Sequence, residues 1–505
     1  MRLSGILMPI TSIPSKYGIG GFSKEAYEFV DFLNKAGQSY WQILPVGPTG
    51  YGDSPYQSFS TFAGNPYFID LEMLIKEGWL KESECSKADV GDTPAYVQYD
   101  KIYKTRFKLL KKAYKNSKIE SNPDFVQFVS ENAHWVEDYA LYMAVKATFN
   151  HKAWNEWDED IKLRKPAAIK KAKAELKDDI LFYEFMQYLF ATQWKALKKY
   201  ANEKGVMIIG DIPIYVAFDS ADTWANPKLF QLDDTCTPIG VAGCPPDAFS
   251  ATGQLWGNPL YRWDYHKETG YDWWMKRISY CYELYDVVRI DHFRGFDEYY
   301  AIPYGDSTAE FGKWEKGPGY ELFKVMKEQL GTKQVIAEDL GFLTPSVINL
   351  VKKTGFPGMK ILQFAFDSRE ESDYLPYNYV RNSVVYTGTH DNDTTLGWWA
   401  KGLSRQDKAF AKRYMNIKGS KEVEWAFIRG AMSCVADTCI IPIQDYLGLG
   451  GEARINLPST LGMNWKWRML PGQCTDELAE RIYEMTKTYG RLRKVKTGKG
   501  KTKKK

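Results

Sequence analysis

The pentapeptide VVRID, Val287–Asp291, is a short β-branched run that ends abruptly on a carboxylate. Seven other segments share this pattern, a short apolar run closed by a polar or turn residue. They are residues 6–10 (ILMPI), 41–46 (WQILPV), 206–214 (VMIIGDIPI), 335–339 (VIAED), 359–366 (MKILQFAF), 384–391 (VVYTGTHD) and 439–445 (CIIPIQD). Continuous apolar runs of this kind are typical of strands that are buried on both faces of a parallel sheet.

The segments between many of these runs have the period of an amphipathic helix, so the chain alternates strands with helices. Eight parallel strands joined by helical crossovers form a (β/α)8 barrel. The competing fold is an open doubly wound sheet, but no GxGxxG or P-loop sequence follows any of the eight runs. We therefore predict an α/β protein, a (β/α)8 TIM barrel with inserted, largely helical subdomains.

The predicted barrel is interrupted after its second strand. Residues 71–195 are rich in lysine and glutamate and have helical period, so we expect an inserted helical subdomain between barrel segments 1–70 and 196–505. Residues 219–276 are rich in proline, glycine and tryptophan, and we expect an irregular insertion at the mouth of the active site. The tail, 494–505, contains seven lysines and is expected to be disordered.

Composition excludes several classes of function. The chain of 505 residues has a formal net charge of +4, and without the seven lysines of the tail the charge is −3. The body of the protein therefore offers no broad surface for phosphates, and we expect no nucleic-acid partner. No apolar stretch is long enough to cross a membrane, and the first residues do not resemble a signal peptide. Seven scattered cysteines without metal-ligand spacing fit reduced thiols, so we expect a cytoplasmic protein.

Acidic residues recur where the predicted strands end. Strand three carries Asp211, strand four Asp291, strand five Glu338 with Asp339, and strand seven Asp391. In a barrel these strand ends form the catalytic face, and several carboxylates on one rim are costly unless they have partners or a function. Clustered carboxylates serve two chemistries, divalent-metal binding and glycosyl transfer.

The neighbouring residues favour glycosyl transfer. Arg289 lies two residues before Asp291 and therefore on the same strand face, where its positive charge suits an ionised carboxylate and would weaken a cation site. Aromatic residues that can stack on sugar rings crowd the segments nearby, which are Tyr51, Tyr56, Phe59, Phe249 and Trp256. We accordingly expect a sugar-binding cleft that needs neither a metal ion nor a cofactor.

Three segments around these acids carry a family resemblance. Residues 289–295 (RIDHFRG), 337–341 (AEDLG) and 389–392 (THDN) resemble the catalytic segments of the 4-α-glucanotransferases, also called amylomaltases or disproportionating enzymes. These form glycoside hydrolase family 77, within the α-amylase clan. Residues 210–216, 54–58, 245–259 and 464–465 are also similar to that family. The resemblance extends from about Ile6 to Trp467.

The resemblance implies a role for each matching residue. Asp291 would be the nucleophile, Glu338 the general acid/base, and Asp391 the residue that holds the hydroxyls of the distorted sugar. Tyr56, Asp211, Arg289 and His390 would line the subsite of the reacting glucose, and Trp256 would cover the acceptor side. Further substrate contacts are expected from Ser54, Asn258, Asp367 and Asn464.

The resemblance also implies the reaction. The enzyme would transfer a segment of a 1,4-α-D-glucan to the 4-hydroxyl of an acceptor glucan or glucose, with α-1,4-glucans and malto-oligosaccharides as both donor and acceptor. An α-glucan hydrolase of the same clan uses the same three acids and is the alternative. A non-catalytic carbohydrate-binding barrel and a metal-dependent barrel enzyme are the alternatives from other classes. Starch, glycogen and maltodextrin remain equally compatible substrates at this point.

Overall fold

The computed structural model describes residues 1–50, 52–246, 250–341, 343–419 and 421–493. Within these residues, eight strands form a closed parallel barrel and four form a separate sheet. The strands are β1 (Leu3–Leu7), β2 (Tyr40–Gln42), β3 (Met207–Pro213), β4 (Gly240–Cys244), β5 (Gln254–Pro259), β6 (Val287–Asp291), β7 (Glu298–Pro303), β8 (Lys313–Lys316), β9 (Val335–Ala337), β10 (Gly358–Ile361), β11 (Ser383–Tyr386) and β12 (Thr438–Pro442).

The α-helices of the described residues begin and end as follows. They are α1 (Lys24–Lys35), α2 (Leu71–Lys76), α3 (Glu82–Cys85), α4 (Tyr99–Ser117), α5 (Pro123–Glu131), α6 (Ala133–Thr148), α7 (Glu159–Lys162), α8 (Pro166–Glu175), α9 (Lys177–Glu203), α10 (Ala221–Ala225), α11 (Trp263–Glu268), α12 (Asp272–Leu284), α13 (Tyr320–Leu330), α14 (Pro345–Thr354), α15 (Thr395–Lys401), α16 (Arg405–Tyr414), α17 (Val423–Ser433), α18 (Ile443–Tyr446) and α19 (Asp476–Thr488). Helix α14 shows the local signals well: Thr344 caps its start, Pro345 is its first residue, and Gly355 ends it at φ 75°.

The barrel confirms the predicted (β/α)8 fold. Its strands follow one another around the ring in the order β1, β2, β3, β6, β9, β10, β11 and β12, and each pairs with its neighbours in parallel. Each of the eight predicted runs contributes one of these strands. A separate apolar cluster to which all eight strands contribute fills the interior; it comprises Leu3, Leu7, Tyr40, Ile209, Val287, Ile336, Met359, Ile361, Val384, Tyr386 and Ile440.

The longer secondary-structure elements between β2 and β3 are all helices. Helices α2 to α9 occupy it, and α9 runs on to Glu203, where it packs against β3 and α1. The predicted subdomain boundary at residue 195 therefore falls inside one continuous helix. The division into domains remains a prediction. Buried residues of the inserted helices and of the barrel belong to one continuous hydrophobic cluster. Phe22, which precedes α1, contacts Phe190 and Trp194 of α9 at ring-centroid distances of 5.2 and 5.3 Å.

The segment predicted to be an irregular insertion contains regular structure. Residues 219–276 include β4 and β5, which pair antiparallel with each other, and β4 also pairs with β7. Strand β7 in turn pairs with β8, giving the order β5-β4-β7-β8. The sequence did not reveal these strands for two reasons. Strand β5 contains Gly257 and Pro259, which are unusual inside a strand. Strand β4 also pairs with β7, which lies beyond β6 in the chain.

No helix of the described residues is long and apolar enough to cross a membrane. The predicted lysine-rich tail, 494–505, lies outside the described residues, as do Tyr51 and Phe249.

Candidate active site

Three carboxylates lie at the carboxyl ends of three neighbouring barrel strands. Asp211 is the fifth residue of β3, Asp291 is the last residue of β6, and Glu338 directly follows β9. Strand β6 pairs with both β3 and β9, and its register places Arg289 opposite Asp211. Because parallel strands present their carboxyl ends at the same end of a barrel, these side chains converge on one face.

Arg289 connects two of the carboxylates. Its Nη1 donates to both carboxylate oxygens of Asp211, at 2.8 and 2.7 Å, and its Nη2 donates to Oδ1 of Asp291 at 2.9 Å. Asp211 and Arg289 are buried, whereas the side chain of Asp291 is partly exposed. Burial raises the pKa of Asp211, and the Arg289 guanidinium opposes that effect. The guanidinium thus orients Asp291 through Oδ1, and Oδ2 accepts no hydrogen bond from the described residues.

Tyr56 is a second hydrogen-bond partner of Asp211, besides Arg289. Its hydroxyl donates to Oδ2 of Asp211 at 2.8 Å, and its ring stacks on His390, with centroids 5.2 Å apart and planes 18° apart. Trp465 lies against both rings at 5.9 Å. These aromatic residues come from three distant parts of the chain and form an apolar wall beside the carboxylates.

Glu338 has a different environment from Asp291. Its Oε2 accepts the backbone N–H of His292 at 2.7 Å, and its Oε1 accepts the backbone N–H of Leu340 at 2.9 Å. Burial and then the negative charge of Asp291 raise the pKa of Glu338 to about 7, against the opposing effects of Arg289 and the two N–H groups. Glu338 can therefore hold or release a proton near neutral pH, as a general acid/base must.

Asp391 follows β11 and is held by residues that come after β12. Its Oδ1 accepts a hydrogen bond from Nδ2 of Asn456 at 2.7 Å and lies 3.3 Å from Nε2 of His390. Nη2 of Arg454 donates to the backbone carbonyl of Asp391, and Nε of Arg454 donates to that of Asn456. The side chain of Asp391 is 43% exposed, so it is oriented by the protein and still accessible to a ligand.

His292 joins the carboxylates to Trp256. It has a left-handed backbone, φ 53°, which aims its N–H at Glu338. Burial lowers the pKa of its imidazole to about 4, so the ring is neutral, and the Trp256 ring meets it edge-on at 4.8 Å. Tyr215 lies 6.3 Å from both rings. Trp256 thereby contacts the residue that directly follows Asp291 and whose N–H binds Glu338.

Comparison with known proteins identifies the family to which this chain belongs. Residues 8–474 match the profile of the family described as 4-alpha-glucanotransferase. A 4-alpha-glucanotransferase of Clostridium butyricum is 52% identical over 485 residues, which are 96% of this chain and 100% of that relative. One of Streptococcus pneumoniae is 49% identical over 97% of this chain and 98% of its own length. The chain belongs to the 4-α-glucanotransferase family.

Solved structures agree with this assignment. The amylomaltase of Streptococcus agalactiae, solved in complex with acarbose, superposes with a TM-score of 0.95 at 43% identity, over 98% of this chain and 100% of that one. The amylomaltase of Corynebacterium glutamicum has the same fold, with a TM-score of 0.76 at 18% identity. The resemblance inferred from the sequence is therefore confirmed, and the chain is of the 4-α-glucanotransferase enzyme class.

Four residues expected to contact substrate in this 4-α-glucanotransferase make contacts that shape loops. Oγ of Ser54 accepts the N–H of Tyr56 at 3.3 Å, in the turn that presents that tyrosine. Asn258 donates to the carbonyl of Val216 at 2.8 Å and accepts from Gln57 at 3.2 Å, which ties β5 to the Tyr56 loop. The contact with Gln57 joins Asn258 to the residue that follows Tyr56.

Asp367 and Asn464 make their hydrogen bonds within their own loops. Arg369 donates to Asp367 and lowers the pKa of that carboxyl to about 2. Asn464 binds the backbone of Leu457 in both directions and the carbonyl of Thr460 at 2.8 Å, closing the loop between them. Within the described residues, neither side chain contacts Asp291, Glu338 or Asp391.

Sequence reasoning gave no role to several residues that contact the candidate site. Arg454 and Asn456 were not singled out, because they reach Asp391 only through the folding of the loop that follows β12. Tyr215 and Trp465 lie in the segments 210–216 and 464–465, which were matched to the family, but neither residue was assigned a role. Among the described residues, no group of three or more histidine, cysteine or carboxylate side chains is arranged to hold a metal ion.

Proposed function

We propose that this enzyme transfers a segment of a 1,4-α-D-glucan to the 4-hydroxyl of an acceptor glucan or glucose by a retaining double displacement. The observation that carries the proposal is the contrast between two neighbouring carboxylates. Asp291 is bound by a guanidinium, and Glu338 has a pKa raised to about 7. A retaining transferase needs one carboxylate as a nucleophile and one carboxyl group as an acid, on adjacent positions of the site.

In the first step, Oδ2 of Asp291 attacks the anomeric carbon of the donor, because Oδ1 is occupied by Arg289. The bond from the anomeric carbon to the glycosidic oxygen breaks, and a bond to Asp291 forms. The proton of Glu338 moves to the departing oxygen, so the leaving chain is released as a neutral alcohol. The product of this step is a covalent glucosyl-enzyme.

In the second step, the 4-hydroxyl of the acceptor replaces the departed chain. Glu338, now ionised, takes the hydroxyl proton while the acceptor oxygen forms a bond to the anomeric carbon and the bond to Asp291 breaks. The two inversions restore the α configuration. Glu338 has regained a proton, this time from the acceptor hydroxyl, so the cycle closes.

The other residues of the site would hold the sugar. Asp391, oriented by Asn456, would bind hydroxyls of the reacting glucose and stabilise the positive charge that develops on its ring. Tyr56 and His390 would form one wall of that subsite with Asp211 and Arg289 behind them. Trp256, packed edge-on against His292, would carry the acceptor.

Transfer requires that a sugar hydroxyl outcompete water. A bound acceptor has a high effective concentration, and a covering loop lowers the access of water. Strand β5, which carries Trp256, and residues 250–253 before it would supply part of such a cover. Family membership favours transfer over the alternative, an α-glucan hydrolase with the same three acids.

The physiological setting is a second part of the proposal. We assign the enzyme to the metabolism of starch, glycogen or maltodextrin, in the cytoplasm. Support for the cytoplasm comes from Cys85, Cys281, Cys434 and Cys439, which are buried as free thiols.

Incubation of the purified protein with maltotriose alone, followed by separation of the products by size, tests the reaction. We expect a ladder of products longer than maltotriose together with glucose or maltose. The Asp291→Asn variant should give no ladder while keeping the same thermal unfolding temperature. Products that are only shorter than the substrate would show a hydrolase, and a full ladder from Asp291→Asn would refute the nucleophile assignment.

A further inference from the structure

The last of the eight apolar runs, residues 439–445, ends on a carboxylate that the proposed mechanism does not use. Asp445 lies in α18, shortly after β12, and the residue is 2% exposed. Burying an ionised carboxylate costs free energy unless hydrogen bonds compensate for the lost water. The donors that surround Asp445 therefore indicate what this side chain does in the folded protein.

Donors from the segment between β11 and α15 bind Asp445. Its Oδ2 accepts the hydroxyl of Thr387 at 2.6 Å and the hydroxyl of Thr395 at 2.7 Å, and its Oδ1 accepts the backbone N–H of Thr395 at 2.7 Å. Both threonines are 1% exposed. Hydrogen bonds to an ionised acceptor are about twice as strong as those between neutral groups, so these contacts offset the cost of burial.

The charge environment of Asp445 differs from that of Asp211 and Asp291, which share Arg289. Within the described part of the chain, Asp445 forms no ion pair. Burial raises the pKa of Asp445, and its hydrogen bonds to the threonines oppose that effect. The carboxylate serves here as an acceptor for three donors at once, which the single oxygen of an amide could not satisfy.

The two threonines bracket the part of the candidate site that carries Asp391. Thr387 directly follows β11, and Thr395 is the first residue of α15. Strand β12 pairs in parallel with β11 and brings Asp445 to both ends of the intervening segment. Fixing both ends leaves residues 388–394 fewer conformations. One buried carboxylate thus closes the loop that presents Asp391.

Hydrogen bonds inside the loop connect its ends to Asp391. Oγ1 of Thr389 accepts the backbone N–H of Asp391 at 3.3 Å, and Oδ1 of Asn392 accepts the backbone N–H of Thr389 at 2.8 Å. These short-range contacts make the loop a series of turns with little slack. A displacement of its ends would therefore also move the Asp391 carboxylate.

We infer that Asp445 is a positioning residue for the transfer reaction, which fixes both ends of the loop that carries Asp391. This inference rests on the proposed function, because that function gives Asp391 the role of stabilising the charge that develops on the reacting glucose. It extends the proposal to a buried residue that acts through Asp391. Because Asp391 acts mainly in the transition state, loss of its orientation should lower kcat more than it raises KM.

Asp445→Asn, which nearly keeps the shape of the side chain but has one acceptor oxygen, tests the inference. We expect kcat for transfer from maltotriose to fall about 10–100-fold, with a much smaller change in KM, since a displacement of about 1 Å can reduce the rate about 10²-fold. Asp70→Asn is the matched control and should keep the native kcat, because Asp70 is also a buried aspartate that accepts a backbone N–H. Thermal unfolding of both variants checks that they are folded.

Substitutions at Thr387 keep the test valid if Asp445→Asn folds poorly. Thr387→Ser keeps the hydroxyl and loses a methyl group, whereas Thr387→Val keeps the shape and loses the hydroxyl. We expect a native kcat in the serine variant and a kcat lowered about 5–10-fold in the valine variant, in proportion to one lost hydrogen bond. A side chain that only packed against its neighbours would show the opposite order.

Combining Asp445→Asn with Asn456→Ala shows whether both residues act through Asp391. We expect the double variant to lose less kcat than the product of the two single losses, because the two residues hold the same carboxylate. Losses that multiply, an unchanged kcat in Asp445→Asn, or the opposite order at Thr387 would overturn the inference.

The native protein and Asp391→Asn separate this inference from the proposed function. If the native protein gives no ladder from maltotriose, or if Asp391→Asn keeps the native rate, the proposed function fails and this inference fails with it. A normal ladder from the native protein and an inactive Asp391→Asn, together with an unaffected Asp445→Asn, would overturn the role of Asp445 alone.

Discussion

Arg289 and the backbone around Glu338 give two carboxyl groups opposite properties. The guanidinium of Arg289 orients Asp291 from one side, whereas Glu338 receives two backbone N–H groups and is surrounded by protein. Two equivalent carboxylates could not support the proposed double displacement, because one must be ionised while the other carries a proton. Single substitutions at these positions should therefore have effects that differ in kind.

Replacing Glu338 with glutamine should slow transfer from maltotriose by roughly 10²–10⁴-fold, the usual contribution of a general acid/base. Glutamine keeps one acceptor oxygen, so it can still accept one of the two N–H groups, from His292 or from Leu340, and the fold should persist. A maltosyl donor with an acidic leaving group needs no protonation, so its first step should be slowed much less. Rates for the two donors, measured side by side, check this prediction.

Glu184→Gln is the matched control, since Glu184 is also a buried carboxyl group with a pKa raised to about 7 by burial, and it lies on α9. Its substitution should leave both rates unchanged. An equal loss for both donors in Glu338→Gln would contradict the acid/base assignment.

The pH dependence of the rate should show an alkaline limb near pH 7. The ordinary pKa of a glutamate is 4.5, and in the folded protein that of Glu338 is about 7, so the carboxyl group is protonated below pH 7 and ionised above it. The first step needs the protonated form, so kcat/KM should fall by about tenfold per pH unit well above 7. Initial rates between pH 5 and pH 9, at roughly constant ionic strength, give the profile. A rate that stays constant above pH 7 would contradict the raised pKa.

At the scale of the elements, loops that follow different strands complete the site. The segment after β12 supplies Arg454 and Asn456, which hold Asp391 at the end of β11, and Trp465, which packs on Tyr56 and His390. Strand pairing between β11 and β12 brings these loops together. A loop that is displaced by about 1 Å can reduce an enzyme's rate by about 10²-fold.

Asn456→Ala should therefore lower kcat on maltotriose by about 10–100-fold with a smaller change in KM, because Asp391 would lose the group that orients it. Asn456→Gln, which keeps the amide, should restore part of the rate. Asn382→Ala removes a comparable hydrogen bond, from an exposed asparagine to the carbonyl of Gly355, and serves as the control. An unchanged kcat in Asn456→Ala would show that Asp391 does not depend on this contact.

Strand β3 depends on a glycine for its packing. A Cβ added to Gly210 would lie 2.2 Å from the ring of Tyr285, which is itself buried. Gly210→Ala should lower the free energy of unfolding by about 1–3 kcal/mol through overpacking. Thermal or denaturant unfolding measures the change, and Gly419→Ala, whose Cβ would meet its nearest atom at 4.0 Å, is the control. Equal stability of the two variants would contradict the packing argument.

At the scale of the whole molecule, charge and packing favour a site that works without a metal ion. Arg289 lies between Asp211 and Asp291, where a cation would otherwise sit, and backbone N–H groups occupy both oxygens of Glu338. We therefore expect EDTA to leave the rate of transfer unchanged. Loss of activity on chelation, reversed by Mg²⁺ or Ca²⁺, would contradict this view of the carboxylate cluster.

The sequence alone was sufficient to predict the barrel fold and the acidic residues at its rim. Each barrel strand is encoded locally by an apolar run, and the period of two along a strand places Arg289 and Asp291 on the same face. Parallel topology then brings the ends of neighbouring strands together, so Asp211, Asp291 and Glu338 could be grouped from their positions at the ends of the predicted strands.

Only the tertiary structure decided the remaining features. The sheet of β5, β4, β7 and β8 joins segments on either side of β6, and its register has no local signal. The contacts of Asn456 and Trp465 depend on where the long loop after β12 returns to the rim of the barrel. The raised pKa of Glu338 likewise arises from burial, which the full packing of the chain around the residue sets.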